Sequence, residues 1–138
     1  MPVGASPIYA NAVYTNGVVF ALADGTTGKV VAYGNTAQLI LRSVLLTNLS
    51  ANPYTFDVFL RRSAVDYQLA RVLVPANTGH ANGTPAINII DPAIIPGIDS
   101  EPNTKLTLMA ADQLVIAATG ALAGADVVHV VVNGGTVT

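Results

Sequence analysis

Apolar and polar positions alternate with period two along much of the chain, and the densest such stretch runs from Gln38 to Arg62. Its first limb, Leu39 to Leu49, is apolar at most positions and rich in branched residues. Asn48, Ser50, Asn52 and Pro53 then supply turn chemistry. In the second limb Tyr54, Phe56, Val58 and Leu60 point one way, and Thr55, Asp57, Phe59 and Arg61 the other. Alternation of this kind marks a half-buried strand, and the denser first limb a strand covered on both faces. Together they predict a long antiparallel hairpin.

The same signals run through the rest of the chain. Ile8 to Thr15 and Val18 to Ala23 flank Asn16-Gly17, which predicts a second hairpin because both turn residues accept positive φ. Asp24-Gly25 opens a turn through Gly28, and Lys29 to Tyr33 forms a short strand. Asp66 to Val74 is a strand stopped by Pro75, which cannot donate to a ladder. From Ala76 to Asn103 the composition shifts to Pro, Gly, Asn and Thr around two isoleucine patches. So long an irregular span is either a functional excursion or holds a short strand or helical turn. Thr104 to Met109 is a strand with Leu106 and Leu108 inward. A tight turn at Ala110 to Asp112 leads to a returning strand, Leu114 to Thr119. Asp126 to Asn133, apolar on both faces, ends the fold before a Gly134-Gly135 tail. Eight or nine short strands without helical periodicity predict an all-β fold, an antiparallel β-sandwich or jelly roll with one long Pro-rich loop. Residues 1–138 read as a single domain, with 1–7 as an N-terminal arm.

Composition changes this picture in one respect. The chain of 138 residues is 51% hydrophobic but only 10% charged, against a usual charged share of about 25%. So few solvating charges point to surface hidden against partners, and hence to a homo-oligomer. Net charge is −2, and of six basic residues only Arg61 and Arg62 are adjacent. No basic stripe exists to neutralise phosphates, which argues against nucleic acid as a partner. No uncharged apolar run reaches the roughly 18 residues of a membrane helix, and the N-terminus lacks a secretory pattern. The chain therefore reads as soluble and made in the cytoplasm, with no membrane partner. Without cysteine there is no disulfide framework or thiolate metal site.

The search for chemistry returns little. His129 alternates with Val127 and Val131 in an apolar strand and reads as a packed residue, while His80 reads as a loop residue. Asp91, Asp99 and Glu101 cluster in the Pro-rich span, yet the spacing is not that of a calcium loop, and Asp in these settings forms turns. Gly25 to Lys29 resembles a phosphate loop but lacks its spacing and its helix. Asn48-Leu49-Ser50 and Asn82-Gly83-Thr84 match glycosylation acceptors. Tyr9, Tyr14, Tyr33, Tyr54 and Tyr67 could line a sugar-binding face, although Tyr in strands usually packs. These residues predict no catalytic site, no cofactor and no metal. Phe59 stands out because alternation places it outward beside Asp57 and Arg61. Phe59, Arg61, Ile94 and Ile95 are the candidate interface. Of the two isoleucine patches, the one around Ile87, Ile89 and Ile90 is expected on the chain's own core. The one around Ile94, Ile95 and Ile98 is expected against a neighbour.

The order of these pieces resembles a family. A central RSVLLTNLSANPYTFDVFL segment, then ARVLVPANT, an Ile- and Pro-rich excursion, and KLTLMAADQLVIAATGALAGADVVHVVVNGG are similar to small β-sandwich or jelly-roll structural proteins of tailed-bacteriophage virions. The likeness covers about Gln38 to Gly135. It implies a non-enzymatic virion component, made in the host cytoplasm, that assembles as a symmetric oligomer, a trimer where it decorates a capsid. The implied partners are the phage major capsid protein or other virion proteins. A head decoration (cement) protein is the preferred expectation. The alternatives are a collar, tail or baseplate component and, from another class, a carbohydrate-binding module, with a hydrolase last. The first 36 residues have no counterpart in the pattern and could grip a neighbour.

Overall fold

The computed structural model describes residues 12–34, 36–80, 84–98 and 104–137. Through them run β1 (Ala12–Phe20), β2 (Lys29–Tyr33), β3 (Gln38–Asn48), β4 (Tyr54–Arg62), β5 (Val65–Val74), β6 (Ile87–Asn88), β7 (Leu106–Leu108), β8 (Gln113–Ala118) and β9 (Val128–Val137), with a 3-10 turn at Leu22–Asp24. Every pairing among them is antiparallel. One sheet, A, is ordered β1-β9-β3, with β6 and β7 both on the far edge of β3; the other, B, is ordered β2-β8-β4-β5. β6 and β7 thus act as two pieces of one interrupted strand. Most connections cross between the sheets, and only β4 to β5 and β6 to β7 stay within one. This is the strand order of a double-sheet jelly roll.

Two of the predicted strands keep their bounds but not their pairing. β3 and β4 do not form a hairpin, because β3 lies in sheet A and β4 in sheet B. The link between them is organised by Asn48, which is fully buried. Its Nδ2 donates to the carbonyls of Asn52, Val74 and Pro75. Its Oδ1 accepts from the backbone N–H and the hydroxyl of Ser50. The turn chemistry of this stretch therefore turns the chain over the end of the sandwich. β7 and β8 part in the same way. The tight turn between them exists, with Ala111 at φ 71° and the Asp112 N–H donating to Met109 O.

Asn16-Gly17 is not a turn. β1 runs straight through it, Asn16 opposite Val132 and Gly17 opposite Val131, in an unbroken ladder with β9. Nine consecutive pairs outweigh a two-residue turn preference, and the Asn16 side chain donates to Val31 O of β2 instead. Ile8 to Asn11 and the 1–7 arm lie outside the described residues. The hairpin that does form joins β4 to β5 through Ser63 and Ala64, both at positive φ (52° and 63°). The expected Gly134-Gly135 tail is part of β9. A Cβ on Gly134 would run into Ile40 O, next to the bulge of β3 at Arg42. Glycine lets the two backbones meet there.

The core lies between the sheets. Phe20 of β1 and Phe56 of β4 meet edge to face, 5.1 Å between ring centroids. Leu39, Leu41, Val44 and Leu46 of β3 face Val58, Leu114 and Ile116 across it. The long Pro-rich span contributes Ile89 and Ile90, both buried, and puts β6 beside Leu45 and Leu46. Asn88 Oδ1 accepts the Val44 N–H, and Ile89 N–H donates to Val44 O. The span thus covers the edge of β3.

Candidate interaction surface

Phe59 lies on the outer face of sheet B, as alternation predicts, but it is half-buried and not isolated. Across the sheet it falls in one row with Val30, Val115 and Gln68. Val115 is buried; a Cβ on Gly28 would stand 2.8 Å from its Cγ1. The neighbouring positions are closed by two bidentate ion pairs. Arg61 Nε and Nη2 reach Asp66 at 2.6 and 3.0 Å, and Arg71 Nε and Nη2 reach Asp57 at 2.7 and 3.0 Å. Gln68 Nε2 also donates to Asp57. The guanidinium bonds hold both carboxyls below their ordinary range and raise the arginines. The result is a shallow groove of about 440 Å³ with an aromatic floor and neutralised walls.

Ile94 and Ile95 lie elsewhere, in the turns between β6 and β7, where both N–H groups donate to Asp91 O. Ile95 is 4% exposed, and Ile94 and Ile98 pack half-buried against the core. The second isoleucine patch therefore lies on this chain's own sandwich, like the first. The Asp91-anchored turns keep Ile95 off the surface.

The groups considered for chemistry have structural partners or open surroundings. Asp24 pairs with Lys29 at 2.9 Å. Asp112, buried, receives both Nε and Nη2 of Arg62 and the Met109 N–H. Asp126 accepts from Asn52 Nδ2 and from the Tyr54 hydroxyl, which in turn accepts the Ala123 N–H. Asp91 Oδ1 accepts the Ala93 N–H. Asp99 and Glu101 lie outside the described residues, as does Asn82. Among the described residues no group of three His, Cys, Asp or Glu could hold a metal. His80 is exposed in a turn. His129 is half-buried on the outer face, between Val19 and Thr47, because the inward positions of β9 are Val128, Val130 and Val132. Tyr14 and Tyr33 share a groove of about 360 Å³ with Thr36, Ala37 and Thr136. Tyr54 is tied to Asp126 and Tyr67 stands near the β4–β5 tip, so the described tyrosines do not share one face. Tyr9 lies outside the described residues.

Of the candidate residues that the sequence singles out, the outer face of sheet A holds only His129 among those described. Three rows cross β1, β9 and β3: Val19–His129–Thr47, Gly17–Val131–Leu45 and Thr15–Asn133–Ser43. They contain no carboxylate, lysine or arginine, and Val19 and Val131 are 47% and 44% exposed. Val13, at the end of β1, is 85% exposed. The signal lies in the valine run of β9, apolar on both faces. Its outward half meets no layer of the described residues.

Comparison with known proteins returns no matching protein family and no matching curated protein. A fold comparison finds a likeness to a chain from the acidic stable capsid structure of Helicobacter pylori bacteriophage KHP30. That likeness has 10% identity, covers 94% of this chain and 91% of that one, and has a TM-score of 0.48.

Proposed function

We propose that this chain is a non-enzymatic structural component of a bacteriophage virion, a capsid decoration (cement) protein that stabilises the head through subunit contacts. The observation that carries the reading is the stretch of sheet A's outer face made by the three rows across β1, β9 and β3, which hold no carboxylate, lysine or arginine and are dotted with exposed valines. Such a stretch gains by burial against protein. The sequence resemblance to small virion proteins supports the same class. Jelly rolls serve both in viral shells and in lectins, so fold alone does not decide between them. The scattered tyrosines disfavour the lectin-like reading, and the structural engagement of Asp24, Asp57, Asp66, Asp112 and Asp126 disfavours a hydrolase. The partners are copies of the chain itself and the major capsid protein or another virion protein. Collar, tail and baseplate positions would make the same demands on this face.

The test uses phage particles. Wild-type protein should sediment with purified heads in stoichiometric copy number. Val19→Lys with Val131→Lys should abolish that association while leaving the melting temperature within a few degrees. Absence of the chain from particles, or undiminished binding by the double variant, overturns the reading. Recovery with tails in place of heads moves the protein to a collar, tail or baseplate role.

A further inference from the structure

A jelly roll has four sheet edges, and among the described residues three of them are bridged by side chains or end in very short strands. β1 and β2, the edges on one side, are stitched together: Tyr33 N–H donates to Tyr14 Oη, Asn16 Nδ2 to Val31 O, and Lys29 Nζ to Val19 O. The far edge of β3 is occupied by the short pieces β6 and β7. β5 remains. It is ten residues long, contains no proline, and among the described residues pairs with β4 alone. Val65, Tyr67 and Leu73 on it are about half exposed (49%, 54% and 59%). A long open edge with apolar side chains is what natural sheets avoid unless another strand takes it.

We infer that this strand is another copy of β5, paired antiparallel about a two-fold axis so that Asp66 of each copy faces Arg71 of the other. The charge pattern selects the register. Within one chain Arg61 stands opposite Asp66, and Arg71 opposite Asp57. Bringing Asp66 of one copy beside Arg71 of the other makes a row across four strands, Arg61, Asp66, Arg71, Asp57, in which the sign alternates at every step. The two-fold axis repeats that row in the opposite direction. A register placing Asp66 against Asp66, or Arg71 against Arg71, sets like charges opposite each other and is disfavoured.

The bulge in β5 agrees with this register. Val58 pairs with Ala70 and Phe59 with Gln68, so Leu69 is the extra residue. On a regular strand, residues of odd and even number point to opposite faces, and Asp66 and Arg71 could not share one. Because of Leu69 they do. In the paired copies Tyr67 meets Ala70 and Val65 meets Val72 on the inner face, and the two bulges meet at the axis. An edge bulge blunts pairing with a regular strand. A second copy carries the same bulge, so the device that repels other strands admits this one.

The inference concerns the β5 edge and stands apart from the sheet A face, so either can fail without the other. It is tested on the whole chain in solution. The protein has no cysteine, so introduced thiols report cleanly. Tyr67→Cys and Ala70→Cys are prepared separately, each checked by its melting curve, then oxidised alone and as an equal mixture. The mixture should give a disulfide-linked dimer at least about tenfold faster than either variant alone, since only unlike positions come within bridging distance. Should either variant fail to fold, Gln68→Cys with Leu69→Cys tests the same register at the axis. Sedimentation of the wild type at tens of micromolar should give the mass of two copies, or an even multiple. Monomer at that concentration, a three-copy assembly, or equal cross-linking by one variant alone overturns the inference.

Discussion

At the scale of single residues, Asn48 carries more than its type suggests. Every hydrogen-bonding atom of its amide group is used at the corner where the chain passes from β3 to β4, with no exposure to solvent. Asn48→Ala leaves the Val74 and Pro75 carbonyls and the Ser50 N–H without that partner. It should cost about 2–4 kcal/mol, read as a lower urea midpoint with unchanged slope. Asn48 is legible in the sequence as a turn former but not as a buried hub, because two of its three acceptors, Val74 O and Pro75 O, come from the end of β5 and just past it. Phe59 shows the complementary case. Its outward direction follows from alternation alone, while its partial burial depends on Val115, which only the strand order brings beside it. Ser63 to Val65 read as a connection, but nothing in Ser63 and Ala64 asks for positive φ; they take it because the β4–β5 ladder requires a tight return.

At the scale of elements, the glycines separate the two readings of β1 and β9. Gly17 lies mid-strand with nothing within 4 Å of where a Cβ would stand, whereas Gly134 abuts Ile40 O. Gly17→Ala should raise stability by about 0.5–1 kcal/mol, the usual gain from replacing a strand glycine. A type I′ turn there would make the same change destabilising. Gly134→Ala should lower stability by about 1–3 kcal/mol through forced separation of β9 from β3. Both are read by thermal melting. The Pro-rich span makes a third case. Ile95→Ala should destabilise the monomer by about 2–4 kcal/mol, as for a buried isoleucine, with little change in self-association among molecules that fold. Strand existence was legible in nearly every segment because period two is local. Pairing was not, since two strands adjacent in sequence can fold back on each other or pass to opposite sheets with the same alternation. The connecting residues Leu49 to Pro53 suit either outcome.

At the scale of the whole molecule, few charges exist and those described are mostly spent on one another. Asp24, Asp57, Asp66, Asp112 and Asp126 are all held below their ordinary range, the first four mainly by hydrogen bonds from Lys29, Arg71, Arg61 and Arg62 and the last by Asn52 and Tyr54. A carboxyl depressed in the folded state contributes stability above its unfolded value, about 3.9, and loses it as pH falls through the folded value. The melting temperature should therefore vary little from about pH 7 to 5 and drop steeply below about pH 4. Asp112→Asn should lower it at neutral pH and flatten the acid limb, because Asp112 is the buried member while Arg62 is 53% exposed. A steep limb unchanged in that variant would assign acid sensitivity to the surface pairs. All-β class, the Pro-rich excursion and the scarcity of charge were readable from the chain. The valine-dotted rows of sheet A's outer face were not, since they need β1, β9 and β3 side by side.

That side-by-side arrangement sets the order in which the molecule can be made. Of the described strands β9 comes last in the chain, yet it lies between β1, the first of them, and β3. Until it arrives, β1 has no neighbour among the described strands of its sheet and β3 lacks its longest one. Closing that ladder joins strands far apart in the sequence, the contact pattern of slow folders on a scale of roughly milliseconds to seconds. A nascent chain stalled before Val128 would display two unsatisfied strand edges, so the emergence of β9 from the ribosome is the moment when the first strand can find its partner.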